Sequence, residues 1–309
     1  MARLCRTQSQ KLASFPQEIT FVQKPEFIWI EKFFKDLMLK ESGIYTLWGS
    51  KPMTVFGMRS LTSSDESDAF SEEEIETAIL LITKDELQTK WYQEIPQKMK
   101  DRAVILKNYT YDFHENWEKW KLLRKDINIS KYLLCERENI RNCNLKTLVF
   151  VNILETAGLI QNNYDTFKGI VGYDFDPLSV IFELEEQSDF WDKVLSNSQL
   201  LGLLCGFGKR NVWCWHWKYR KYSEKTKAFQ KTLHPSRSSD FDIYQIDKLS
   251  IDYFPIPSFV SFIEDDPVIK QYHREREKIK EIYQGKDFVT LTLKKLTEKV
   301  DGGVIKISF

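Results

Sequence analysis

Apolar residues recur at near-helical spacing after Pro25. Phe27, Ile30, Phe34, Leu37 and Met38 share one face, and Trp29 and Phe33 widen it. Pro25 before Glu26 suits a helix start, and Gly43 suits the residue just past a helix end. The pattern predicts a buried helix over 26–42. IYTLW and MTVFGM then predict two strands around the turn at 49–52, which holds Gly49 and Pro52. Ser71 with Glu74, and Thr83 with Glu86, have capping-box spacing. The run TAILLIT between them predicts a buried strand over 77–83 with a helix from Thr83; one helix from 72 is the competing reading, which periodicity does not separate. A short strand over 103–106, an amphipathic helix over 114–125 carrying Trp117, Trp120 and Leu123, and a strand over 131–135 follow. That alternation points to a small α/β unit with parallel pairing, to which the earlier hairpin adds antiparallel strands.

The later pattern predicts helices over 145–157, 162–170, 177–186 and 189–205, with Asp176-Pro177 starting the third and Ser188 capping the fourth. Residues 223–250 are polar and read as a long loop. IDYFPIPSFVSFI is a proline-punctuated strand region. Asp266-Pro267 starts a charged helix to Tyr283, with Ile269, Tyr272, Ile279 and Ile282 inside. DFVTLTL alternates as a strand, and GVIKISF is a last one. The expected class is α+β (mixed α/β): a single mixed sheet covered by a helical region. The organisation expected is a flexible tail over 1–23 and one globular domain over 24–309, with a mainly helical subregion at 145–208 and a polar loop at 223–250.

Composition narrows the function. Of 309 residues, 42% are hydrophobic and 14% aromatic, a globular composition that can bury a large core. Forty-five basic residues balance 45 acidic ones, so any attraction to nucleic acid or an anionic membrane must come from a local patch. Residues 60–76 hold seven carboxylates and no base, and read as a solvated loop. Five cysteines, at positions 5, 135, 143, 205 and 214, form an odd set without a C-x-x-C pair, as expected of reduced thiols. Arg3, Arg6 and Lys11 precede no apolar run, which excludes a Sec signal peptide. No stretch approaches the roughly 18 apolar residues of a spanning helix, since the best, 145–160, carries Asn152 and Glu155. No transmembrane segment is expected, and the location expected is cytoplasmic, or secreted without a cleavable signal peptide.

Chemistry-bearing residues gather after Ser198. Gly206-Phe207-Gly208-Lys209 fails as a phosphate loop, because Leu203 stands where the first glycine belongs and Arg210 where Ser or Thr belongs. The glycines are expected to end a helix in a tight left-handed turn, with Gly202 marking close packing. Residues 209–237 hold nine basic side chains against Glu224 alone among acids. As a strand, Trp213, Trp215, Trp217 and Tyr219 would line one face, and Cys214, His216, Lys218 and Arg220 the other. Lys209, Arg210, Trp213, Trp215, His216, Trp217, Lys218 and Arg220 are therefore the candidate binding residues. Basic and aromatic groups together hold single-stranded nucleic acid, and also suit a membrane interface or a protein partner. Tryptophans joining the core beneath solvated cations are favoured over nucleic acid.

Cys205, Cys214 and His216, with Cys135 or Cys143, match no zinc spacing. Asp174-Phe175-Asp176 has the D-x-D form that converges on a divalent ion, but it recurs at Asp240 and Asp242, and Asp176 serves as a helix start. Cys214 and His216 would point the same way on a strand, without a third orienting group for a dyad. There is no G-x-S-x-G and no H-E-x-x-H. No cofactor and no metal are expected.

Several stretches carry a resemblance when taken together: FFKDLMLKESGIYTLWGSKPMT, TAILLITKDE, HENWEKW, GYDFDPLSVIFELE, FWDKVLSNSQLLGLLCGFGKRN and DDPVIKQYHREREKIK. From about Phe33 to Ile279 the chain resembles a family of uncharacterised proteins from chlamydiae and related intracellular bacteria. The resemblance implies a bacterial lineage living inside host cells, and assigns no catalytic residue. The function expected is an interaction or structural role without catalysis. The alternatives are binding of nucleic acid or an anionic surface through 209–231, and a metal-dependent enzyme using Asp174 and Asp176.

Overall fold

The structure, a computed structural model, describes residues 28–59, 109, 112–124, 129–138, 145–213, 233–237 and 249–298. The expected tail, the elements at 77–83 and 103–106, most of the 223–250 loop and the GVIKISF strand lie outside the described residues.

The first helix, α1 (Ile28–Phe34), runs on as a π-helix over Lys35–Lys40, shown by the Glu41 N–H donating five residues back to Asp36 O. A left-handed residue ends it, but this is Ser42, at φ 63°, rather than Gly43. Gly43 is needed for close approach: a Cβ there would lie 2.6 Å from Leu37 O. The chain then enters α2 (Ile44–Trp48), which replaces the strand expected of IYTLW. Tertiary packing overrides its β-type composition. Tyr45 packs edge-on against Tyr272 and donates its hydroxyl proton to Pro255 O, while the Thr46 and Thr54 hydroxyls hydrogen-bond at 2.9 Å.

β1 (Met53–Arg59) is the expected strand, and α3 (112–123) the expected amphipathic helix. β2 (Tyr132–Glu138) and β3 (Leu145–Asn152) complete a three-stranded sheet of order β1-β3-β2. Both pairings are antiparallel, which corrects the parallel unit expected of this region. The strand at 145–152 also corrects the helix expected there. As the central strand it is buried on both faces over 148–151, where Leu148, Val149, Phe150 and Val151 are all apolar, so the alternation that marks a strand disappears there. Asn152 then caps α4 (Ile153–Asn162), accepting from Glu155 N.

A row across the sheet shows how the faces divide. Thr54, Phe150 and Leu134 are register neighbours on one face, and Val55, Val149 and Cys135 on the other. The first face carries a core of Phe33, Phe34, Trp117, Trp120, Tyr132 and Phe150. The second is covered by α4, α5 (Tyr164–Val171), α6 (Ser179–Phe182, continued as a 3-10 turn), α7 (Asp189–Ser196) and α8 (Ser198–Leu204). The α+β class is thus what the chain adopts. Ser188 caps α7 by accepting from Trp191 N, as expected. Asn197 divides the expected 189–205 helix in two by accepting from Gln199 N and Leu200 N.

The two-residue strands β4 (His234–Pro235) and β5 (Val260–Ser261) pair antiparallel. α9 (Pro267–Tyr283) has the predicted bounds and the predicted cap, Asp266. α10 (Phe288–Leu296) replaces the strand expected of DFVTLTL. Val289, Thr292, Leu293 and Leu296 are buried at helical spacing, and Asp287 accepts from Thr290 N to start the helix. No helix is long and apolar enough to cross a membrane among the described residues.

Candidate functional site

The exit from α8 brings together the chemistry-bearing residues of the second half of the chain. Leu200, Leu203 and Leu204 root the helix in the core. Gly202 sits against Val212, where a Cβ would approach Val212 Cγ1 to 2.8 Å, so close packing at this glycine is as expected. Gly206 and Gly208 both take left-handed conformations, at φ 75° and 81°. Space as well as torsion excludes a side chain at Gly206: its Cβ would stand 2.2 Å from the Tyr272 hydroxyl oxygen and 3.4 Å from Lys51 Cγ. Tyr272 donates to Gly206 O at 2.9 Å, which fixes the turn to α9.

Two further contacts lock the turn from inside. Phe207 stacks on Phe259 with ring centroids 5.3 Å apart. Asn211 Nδ2 donates to Phe207 O and to Asp266 Oδ2. Asp266 also accepts from Ser261 Oγ and from Val268 N, so one buried carboxylate holds α9, β5 and the turn together.

The outward side carries the first candidate residues. Lys209 and Arg210 are exposed, and Trp213 is 48% exposed. Residues 211–213 are helical, so Trp213 does not open the strand expected of the tryptophan ladder. A helical turn places Asn211 and Val212 inward and leaves Trp213 outside. Trp215, His216, Trp217, Lys218 and Arg220 lie outside the described residues, as does Tyr219. A cavity of about 250 Å³ opens beside Lys209, lined also by Ser50, Asn163, Gln271 and Tyr272.

A second cavity of about 250 Å³ lies on the other side of the turn. Lys40, Glu41, Ser42, Lys51, Cys205 and Arg237 line it. Lys51 is 5% exposed, and its ammonium donates to Thr54 Oγ1 at 3.0 Å and reaches Glu41 O at 3.5 Å. Burial pulls its pKa down to about 8, which leaves it mostly protonated at neutral pH. Arg237 donates from Nε to Ile256 O and from Nη2 to Ser42 Oγ, both within 3.2 Å. Burial lowers its pKa from a starting value high enough to keep the charge. Lys40 Nζ lies over the Tyr109 ring and makes no hydrogen bond among the described residues. Burial pushes the Cys205 thiol up, an effect larger than the opposing pull of Lys51, so it stays protonated.

Composition and periodicity missed this second group. Ser42 and Arg237 are 195 positions apart, and Lys51 reads as an ordinary turn lysine. The Ser-Gly pair at 42–43 was the one local signal, since such pairs mark turns with unusual backbone.

The remaining candidates have structural partners. Asp174 Oδ1 accepts from the Tyr164 hydroxyl at 2.8 Å and pairs with Lys168 at 2.6 Å, and Lys168 holds its carboxyl below the usual range. Asp176 Oδ1 accepts from Ser179 N and Leu178 N in the turn before α6, and these amides hold its carboxyl low. Cys135 is buried under the second face, where burial pushes its thiol up to about 12. Cys143 and Cys214 lie outside the described residues. No group of three or more metal-ligating side chains occurs among the described residues.

Known proteins add no assignment at this point: no family model, no curated protein and no solved structure matches the chain.

Proposed function

We propose that this chain is an interaction protein without catalysis of its own, and that the outward side of the α8 exit receives an acidic protein partner. One observation carries the reading. Lys209, Arg210 and Trp213 are exposed within five positions, on a turn held from inside by Tyr272, Asn211 and Phe259. An exposed tryptophan beside arginine and lysine is the composition of an anchor residue with steering charges. A rigid mount keeps that anchor in place, so less conformational freedom is lost on binding. The resemblance to a chlamydial family belongs to the same proposal, as the setting in which such a partner would be met.

Polyglutamate and a single-stranded oligonucleotide are the probes that separate the readings. Polyglutamate should bind with an affinity that falls with salt, and a Lys209→Ala, Arg210→Ala, Trp213→Ala triple variant should weaken it by roughly tenfold or more. A Lys209→Ala, Arg210→Ala double variant should keep its urea midpoint, because these two side chains are exposed. An oligonucleotide bound more tightly than polyglutamate, with a steep salt slope, would transfer the face to nucleic acid. Failure of both to bind would remove the face as a site.

A further inference from the structure

We propose that the inner cavity of the α8 exit is a binding site for a small phosphomonoester, with Lys51, Arg237 and Lys40 neutralising its phosphate and the Ser42 hydroxyl within the same wall. The inference is independent of the outward face and its partner.

Charge in excess of its counter-ions is the first argument. Among the described residues, no carboxylate oxygen comes within 4 Å of Lys40, Lys51 or Arg237. An isolated buried cation is expensive, and proteins normally pair it or neutralise it. Here three cations line one cavity of about 250 Å³. Of the acids, Glu41 lines it too, and its Oε1 accepts from the Tyr109 hydroxyl at 3.4 Å. Asp36 stands one helical turn before Lys40 and is itself 4% exposed. Burial raises the Asp36 carboxyl toward neutrality, so it offsets Lys40 only in part. The three cations therefore exceed Glu41 and the partly ionised Asp36 by between one and two units of positive charge.

Donor geometry is the second argument. Arg237 spends Nε on a carbonyl and Nη2 on Ser42 Oγ, which orients the guanidinium rigidly. Lys40 Nζ lies over the Tyr109 ring and makes no hydrogen bond among the described residues. Ser42 is held at φ 63°, a conformation a non-glycine residue rarely adopts, and its side chain faces Arg237 rather than solvent. Strain, unspent donors and fixed orientation in one wall are the marks of a site shaped for an oxyanion. A tetrahedral dianion matches the excess charge, and the volume, roughly that of eight water molecules, leaves room for a small organic group beyond the phosphate.

Cys205 supplies a built-in reporter, because its thiol lines the same cavity. The full chain would be alkylated with and without inorganic phosphate or glycerol 3-phosphate, and modification at Cys205 read by peptide mass spectrometry. Thermal unfolding would be followed in parallel. The site predicts that glycerol 3-phosphate raises the melting temperature and slows Cys205 alkylation several-fold. Lys51→Met and Arg237→Met should each remove both effects while keeping the native circular dichroism. Should Arg237→Met fail to fold, Lys40→Met gives the same readout from the third cation. A stronger response to inorganic phosphate than to glycerol 3-phosphate would keep the phosphate site and assign it to the free ion. Protection by succinate but by neither phosphate compound would overturn the ligand class. Equal responses in wild type and Lys51→Met, or no response to either phosphate, would overturn the site.

Discussion

The two faces of the sheet are built to different standards of polar satisfaction. Under the second face the buried polar groups find partners. The Trp191 indole N–H donates to Val180 O, and Arg137 donates to Leu184 O and Glu186 O and pairs with Asp192. The first face and its rim are different. Asp36 Oδ2, Lys40 Nζ, His114 Nε2 and Trp120 Nε1 are four of the five buried polar side-chain atoms without a hydrogen-bond partner among the described residues. His114 Nε2 does stand 3.4 Å from Glu118 Oε1, but burial lowers the imidazole pKa, so at neutral pH this is a close approach and not an ion pair. Lys51 and Arg237 lie at the same rim. Buried polar groups are nearly always satisfied in native proteins, so a region that breaks the rule repeatedly is where function competes with stability. The second face is the better satisfied of the two, and the proposed cavity lies at the rim between them, lined by Lys51 as well as by Val55 and Cys205.

The largest test of that contrast is on the second face. Trp191→Ala removes a fully buried ring packed edge-on against Phe190. It should lower the unfolding free energy by about 3–5 kcal/mol in urea titrations. A loss below about 1 kcal/mol would mean that the second face is not closely packed. Gly206→Ala comes next, since it meets both a left-handed backbone and the Tyr272 hydroxyl. A destabilisation of about 2–3 kcal/mol is expected by the same measurement. It should also displace Tyr272, which lines the cavity beside Lys209.

Asp36→Asn sharpens the comparison with a smaller effect and a definite sign. Burial raises the folded-state pKa of Asp36 above its unfolded value. Between the two values the folded protein binds more protons, so stability falls as pH rises through that window. Asparagine removes the titration. The variant should match wild type near pH 4 and exceed it near pH 8, as read from urea midpoints across that range. A difference of the opposite sign would show that Asp36 is net favourable as a partner to Lys40.

Much of the architecture was open to a reading of the residues, and the errors share a physical cause. The α9 start followed from Asp266-Pro267, and the α7 start from Ser188, because a capping side chain is a local signal. IYTLW, LKTLVFVN and DFVTLTL were misread because each is short, so neighbours outside the window decide its conformation. In α10 the deciding residue is Leu296, three positions beyond the alternating window, which completes a helical stripe with Val289, Thr292 and Leu293. The glycine exit was visible as a turn, and Lys209, Arg210 and Trp213 as a charged and aromatic run. The cavity behind it was not. Its cations come from 40, 51 and 237, and only the tertiary fold shows that they outnumber the carboxylates beside them.

The measurement that bears most directly on this account is the urea unfolding of Lys51→Met at pH 7 without added phosphate. If Lys51 is held buried and uncompensated for the sake of a ligand, methionine fills the same space without the charge, and the variant should unfold at a higher urea concentration than wild type. A lower midpoint would mean that the ammonium's bonds to Thr54 Oγ1 and Glu41 O already stabilise the fold, and that the cavity's charge is structural.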